Sequence, residues 1–199
     1  MRETMTKKTG RPRALSFFGP QQVGKSTIAK HLAKKFPERF RYRNFAGPIY
    51  AMATAFYGGE LPTEKEAPNP LSGGKSLRQF MQILGTEFGR DLIDENVWAN
   101  LLIDGVRRDN EAGLVTVTDD CRFWNEYNLL TEAGAAHISV SREGHGPRGT
   151  HKSELEWQEF SSHAMIHNSG KGMGDYIAYA EGIVECVMRT NLEDLTPTH

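Results

Sequence analysis

Gly19-Pro20-Gln21-Gln22-Val23-Gly24-Lys25-Ser26-Thr27 places two glycines, a lysine and two hydroxyl residues at the spacing G-x-x-x-x-G-K-[ST]. Just upstream, Ala14-Leu15-Ser16-Phe17-Phe18 is a short apolar run that reads as a buried strand. Downstream, residues 28, 29, 32, 33 and 36 are apolar, the spacing of one helix face. Strand, glycine loop and helix together are the context in which this pattern cradles phosphate. Glycines let backbone N–H groups turn inward, and the helix N-terminus adds its positive end. On this reading Gly19, Gln21, Gln22, Val23, Gly24, Lys25, Ser26 and Thr27 bind the phosphates of a nucleoside triphosphate. The Lys25 ammonium reaches the β- and γ-phosphates, and the Ser26 hydroxyl ligates Mg²⁺.

The bulk properties narrow the setting. A chain of 199 residues can bury one sizeable α/β core. Its net charge of −1 gives no electrostatic reason to expect nucleic acid or a membrane as partner. Two cysteines, Cys121 and Cys186, form neither a disulfide framework nor a metal-ligand pattern. They fit a reducing compartment, and no apolar run is long enough to span a bilayer, so the expected location is cytoplasmic. Residues 1–13 read as a disordered basic tail, 14–190 as one domain and 191–199 as a C-terminal tail.

Along the chain, strand patterns alternate with helix patterns. A second short strand is expected at Arg41–Ala46, then Gly47-Pro48 opens a helix that stops at Gly58-Gly59. Residues 60–75 are rich in proline, glycine and charge and read as a loop. Ser76 can cap a helix from Leu77 to about Phe88, with Leu77, Phe80, Met81, Leu84 and Phe88 on one face. A break and a helix from Glu95 to about Val106 follow. Strands are expected at 114–118, 136–141 and 164–168, with helices at 122–133 and 175–190 between and after them. This alternation predicts a three-layer α/β fold, a five-stranded parallel sheet flanked by helices as in P-loop NTPases.

Ligands on such sheets bind at the carboxyl ends of the strands. Four stretches map there: the glycine loop, the 45–48 turn, Asp119 to Arg122, and Ser141-Arg142 with the loop beyond. Asn168 ends the last strand on the same edge. Asp119 or Asp120 follows Val-Thr-Val-Thr and could serve Mg²⁺ beside Ser26; a helix N-cap is the plainer role for one of them. Arg122 opposes the dipole of the helix it starts, which favours an anionic partner, whereas a surface ion pair with Glu126 is the bland alternative. Arg142, His145, Arg148, His151 and Lys152 crowd a glycine-containing loop that could act as a lid over residues 142–160. Arg78, Gln82 and Arg90 are polar residues on otherwise apolar helices, and Trp98 fits a core position.

Several stretches resemble the deoxynucleoside monophosphate kinases of bacteriophages, P-loop kinases related in fold to adenylate kinase. They are Phe45-Ala46-Gly47-Pro48-Ile49, the run from Ser76 to Glu87, Trp98, and Asp120-Cys121-Arg122-Phe123-Trp124-Asn125-Glu126. Glu132 to Ala135, Thr150 to Glu154 and Ile166-His167-Asn168-Ser169-Gly170 are similar as well. The resemblance makes the bound triphosphate ATP and implies transfer of its γ-phosphoryl group to a deoxynucleoside monophosphate, with Mg²⁺ as cofactor. It implies that residues 46–106 form a helical monophosphate-binding region. Gln22, Ala46, Gly47, Arg78, Gln82, Arg90, Trp98, Asp120, Arg122 and Glu126 would then meet the acceptor, and Asn168 would lie near the ATP base. Lys25, Arg78, Arg122, Arg142 and Arg148 would stabilise the transferring group. A small-molecule substrate is the expected partner, with no membrane or nucleic acid and a homodimer left open. The alternatives are another small P-loop kinase, such as a dephospho-coenzyme A kinase, or a non-kinase P-loop ATPase.

Overall fold

In the computed structural model, which describes residues 10–147 and 155–198, Ala14–Phe18 forms strand β1 with all five residues buried. The glycine loop leads from β1 into helix α1, Lys25–Lys35, whose Ile28, Ala29 and Leu32 are buried. Phe40–Tyr42 is β2, Gly47–Phe56 is α2 and Leu77–Ile83 is α3. Then come α4 (Val97–Glu111), β3 (Val115–Thr118), α5 (Trp124–Glu132), β4 (Ala135–Arg142), β5 (Ala164–Asn168) and α6 (Met173–Arg189).

Among the described residues the strands form one sheet in the order β2-β3-β1-β4-β5, and every pairing is parallel. This is the α/β fold of P-loop kinases. β1 lies at the centre, with Ser16 opposite Thr118 on one side and Phe18 opposite Ser139 on the other. The carboxyl ends of β3 and β4 therefore flank the glycine loop. The core joins Leu15, Phe17, Val117, Ile138 and Ile166 of the sheet with Ile28 and Leu32 of α1 and with Tyr176, Ala180, Val184 and Val187 of α6. No helix among the described residues is long and apolar enough to cross a membrane.

The chain divides into two compact units. One comprises the residues up to Arg43 and those from Ile103 onward, and contains the sheet; the other is Asn44–Leu102. The second unit is helical and comes close to the segment 46–106 singled out in the sequence. Within it, Ser76 does cap α3: its hydroxyl accepts from the Gln79 N–H, and the Gln79 side chain accepts from the Ser76 N–H. The segment 60–75 is more structured than a plain loop. A 3₁₀ turn at Pro70–Ser72 is capped by Asn69, Pro68 bridges to Ser76, and the Arg78 N–H donates to the Lys65 carbonyl.

Two boundaries differ from the sequence reading. β2 ends at Tyr42 rather than continuing to Ala46; the Arg43 N–H still donates to the Val117 carbonyl at 3.0 Å, and its guanidinium meets Asp109, 2.7 and 2.6 Å from the two carboxylate oxygens. The α-helix expected to reach Phe88 stops at Ile83, and Leu84–Asp91 continues it as a π-helix. That change of period leaves Phe88 exposed instead of on the apolar face.

Candidate functional site

The glycine loop is shaped by close contacts that only glycine allows. Gly19 has φ 131°, and a Cβ there would stand 2.3 Å from the Val140 carbonyl oxygen of β4. Gly24 has φ 110°, and a Cβ there would stand 2.8 Å from the Tyr176 ring. Between them Gln22 also takes a positive φ, 64°. Gly24 is the N-cap of α1; no side chain caps the helix and no acidic residue occupies its first turn. The helix therefore opens with N–H groups and a positive dipole end available to an anion.

Lys25 folds its ammonium back over this loop, donating to the carbonyls of Gly19, at 2.9 Å, and Pro20. Ser26 is exposed in the first turn of α1, as Gln21 and Gln22 are in the loop. Gln22, Gly24, Lys25, Ser26 and Thr27 border a cavity of about 200 Å³ whose other wall is Asn168, Met173 and Tyr176. Burial pushes the Tyr176 phenol up to about 12, so it remains a hydrogen-bond donor at any ordinary pH.

On one flank β3 ends at Thr118, and the two acids follow. Asp119 is buried and accepts from the Tyr42 hydroxyl at 2.7 Å. Asp120 is half-buried and accepts from the Thr118 hydroxyl at 3.1 Å. Neither is the N-cap of α5, whose cap position falls at Phe123. Glu126 is buried, and its carboxylate accepts from the backbone N–H groups of Arg122, at 2.9 Å, and Phe123, at 3.2 Å. These bonds tie the carboxylate to the turn that carries Arg122.

On the other flank, Arg142 ends β4 opposite Asn168 of β5, and its guanidinium lies beside Gly170. The Arg142 carbonyl accepts from the His145 N–H, turning the chain sharply. Arg148, His151 and Lys152, expected in the lid, lie outside the described residues. Asn168, expected near the ATP base, ends β5 and is buried. Its Nδ2 donates to the Val23 carbonyl at 2.9 Å, and its Oδ1 accepts from the Gly170 N–H at 3.1 Å. The first unit thus brings the loop, Asp119, Asp120, Arg142 and Asn168 to one edge of the sheet.

The remaining candidates belong to the second unit. Ala46 immediately precedes α2 and Gly47 is its first residue, with Pro48 in the first turn. Arg78 is exposed on α3 and pairs with Glu66, while Gln82 is exposed one turn on. Arg90 lies in the π-helix and is half-buried. Trp98 is buried, its indole N–H donating to the Gly85 carbonyl at 2.7 Å. Tyr42, Met173 and Tyr176 were missed from the sequence. Tyr176 fell there only within the helix expected at 175–190.

A profile of the family described as deoxynucleotide monophosphate kinase matches residues 63–173, more than half of the chain. The chain belongs to the deoxynucleotide monophosphate kinase family. The matched stretch holds α3, the π-helix, α4 and strands β3 to β5, and the glycine loop precedes it. A deoxynucleoside-5'-monophosphate kinase of Escherichia phage T5 is 40% identical over 57 residues, covering 29% of this chain. That match spans 22% of the phage protein's own length.

Proposed function

We propose that this family member transfers the γ-phosphoryl group of ATP to a deoxynucleoside 5′-monophosphate, giving ADP and the diphosphate. One observation carries the reading: a chain matched by the family over 63–173 also holds an uncapped, glycine-shaped helix N-terminus with a lysine folded over it. That loop suits the donor's phosphates. Its N–H groups and the Lys25 ammonium would meet the β- and γ-phosphate oxygens, where charge builds as the phosphoryl group moves.

The donor set at the loop suits Mg²⁺, a hard cation that takes oxygen ligands and keeps several waters. The Ser26 hydroxyl is exposed in the first turn of α1, and Tyr42 engages only one oxygen of the buried Asp119. Ser26 would bind directly, and Asp119 or Asp120 would hold the ion's water shell. When bound, Mg²⁺ would supply positive charge that offsets the charge of the donor's terminal phosphates.

Arg78 and Arg122 are proposed to orient the acceptor phosphate, with Gln22, Ala46, Gly47, Gln82, Arg90, Trp98, Asp120 and Glu126 serving the same substrate. Glu126 would do so by fixing the backbone of Arg122 and Phe123. The nucleophile is a phosphate oxygen already anionic near neutral pH, so positioning and charge stabilisation suffice and no strong base is needed.

A coupled assay with ATP across the common deoxy- and ribonucleoside monophosphates tests the reading. Transfer to at least one deoxynucleotide is expected. ATP turnover that needs no acceptor, or transfer only to another small molecule, would replace it. In the same assay Lys25→Ala should lower turnover by at least about 10²-fold, the loss of one electrostatic donor. Near wild-type turnover would remove the loop from the donor site.

A further inference from the structure

The glycine loop does not hold its shape alone. Two side chains distant in sequence, Asn168 at the end of β5 and Tyr176 on α6, grip consecutive carbonyls of it. Asn168 Nδ2 donates to the Val23 carbonyl, and the Tyr176 hydroxyl donates to the Gly24 carbonyl at 2.9 Å. These residues lie 145 and 152 positions away in sequence. Both are buried, Asn168 at 8% and Tyr176 at 5% exposure, and Asn168 is itself fixed by the Gly170 N–H. Tyr176 heads the buried stripe of α6, in which the other members, Ala180, Val184 and Val187, carry no polar side-chain atom. Its hydroxyl is thus an addition to packing that the stripe does not require.

The peptides here are trans, since the described residues contain no cis bond. In a trans peptide the N–H points opposite to the C=O. Fixing the Val23 carbonyl therefore turns the Gly24 N–H to the other face of the loop. Fixing the Gly24 carbonyl does the same for the Lys25 N–H. The Gly24 carbonyl also accepts from the Ile28 N–H at 3.1 Å, which ties the grip to the first turn of α1.

We propose that Asn168 and Tyr176 are positioning residues for the donor's phosphates, holding the N–H groups of Gly24 and Lys25 in the orientation that receives phosphate oxygen. The proposal rests on the reading of this loop as the ATP site. It gives Asn168 a task different from contact with the base, and gives Tyr176 one that an apolar helix position would not have.

Tyr176→Phe keeps the ring against Gly24 and removes only the hydroxyl. Asn168→Ala removes the second grip. Mg-ATP affinity by titration calorimetry, KM for the deoxynucleotide, and thermal melting should be measured for the full chain and both variants. Each variant should weaken ATP about five- to twentyfold, the worth of one buried hydrogen bond, with KM for the acceptor unchanged. Tyr176→Phe should melt close to the wild type. Unaltered ATP affinity in Tyr176→Phe would overturn the proposal, as would an equal loss for both substrates that tracks a fall in melting temperature. If the wild type binds Mg-ATP but phosphorylates no deoxynucleotide, the kinase reading fails, while the ATP affinities of the variants still decide the role of the two side chains.

Discussion

Tyr127, Thr131, His137 and His163 show how much a single hydrogen atom decides at the residue scale. The Thr131 hydroxyl donates to the Tyr127 carbonyl, so it must accept from His137 Nε2, 2.8 Å away. His137 then carries its proton on Nε2, and its Nδ1 is buried with no partner. His163 Nδ1 accepts the His137 backbone N–H and so cannot be protonated there. Complete burial, reinforced by His163, holds His137 down to about 3 from an ordinary 6.5. The unfolded chain therefore binds a proton below 6.5 that the folded one refuses, and stability falls with pH from there toward 3. One such group removes about 1.4 kcal/mol per pH unit in that window. In denaturant titrations between pH 6.5 and 4.5, His137→Gln should lose stability less steeply than the wild type by about that slope. Parallel slopes would show that His137 takes up its proton in the folded state. None of this was legible in the sequence, where Ala136 to Ser141 showed only a strand. The glycines of the loop were legible because each answers a backbone demand. Gly19 and Gly24 must be glycine for reasons of φ and close approach.

At the scale of elements, the stretch from Leu77 to Asp91 carries the main departure from a sequence reading. A 3.6-residue period places Leu84 and Phe88 on the face of Leu77, and the capping at Ser76 is readable in the sequence as well. A π-helix of Leu84–Asp91 has no compositional mark of its own. Its cause lies thirteen residues from Gly85, in Trp98. The indole takes the Gly85 carbonyl, and its ring covers Gly89 so closely that a Cβ there would come within 2.2 Å of it. Long-range contacts of this kind override local period. Gly89→Ala should therefore destabilise the second unit by about 1–3 kcal/mol, the usual cost of forcing a methyl into filled space. Trp fluorescence should shift as the indole is displaced. Gly58→Ala is a poor control because of its positive φ, but Gly174→Ala, in α6, meets no atom within 4 Å and should leave stability nearly unchanged. A Gly89→Ala protein as stable as the wild type would mean that the indole is not what sets the π-turn.

For the whole molecule, the sheet unit is assembled from two pieces of chain separated by Asn44–Leu102, and beyond the parallel pairings of β1 and β2 with β3 and β4 one join is made by Arg43, Asp109 and Thr116. The parallel sheet and its edge were readable because alternation of strand and helix leaves few topologies. The join was not, since no pattern links residue 43 to residue 109. Arg43 meets both oxygens of Asp109, and the Thr116 hydroxyl donates to one of them at 2.7 Å. Burial works to raise the Asp109 carboxyl, but the bonds from Arg43 and Thr116 and the guanidinium charge outweigh it and hold it below its ordinary 3.8. Its contribution to stability is thus present above 3.8 and lost as pH falls through the lower, folded value. Arg43→Met reverses the sign. Desolvation, the largest influence, is then opposed only by the Thr116 hydroxyl and the charge of Arg41, so the folded carboxyl should rise above 3.8, and protonation relieves it as pH falls. At pH 7 the substitution should cost about 2–3 kcal/mol, below the about 3–5 of a wholly buried pair because a third of the Arg43 side chain is exposed. The difference from the wild type should shrink between pH 7 and pH 4, where the variant's Asp109 takes up its proton and the wild type's does not. Denaturant titration of both proteins at the two pH values measures it, with His137 cancelling from the comparison. A difference that stays constant across that range would mean that Asp109 gains little from Arg43.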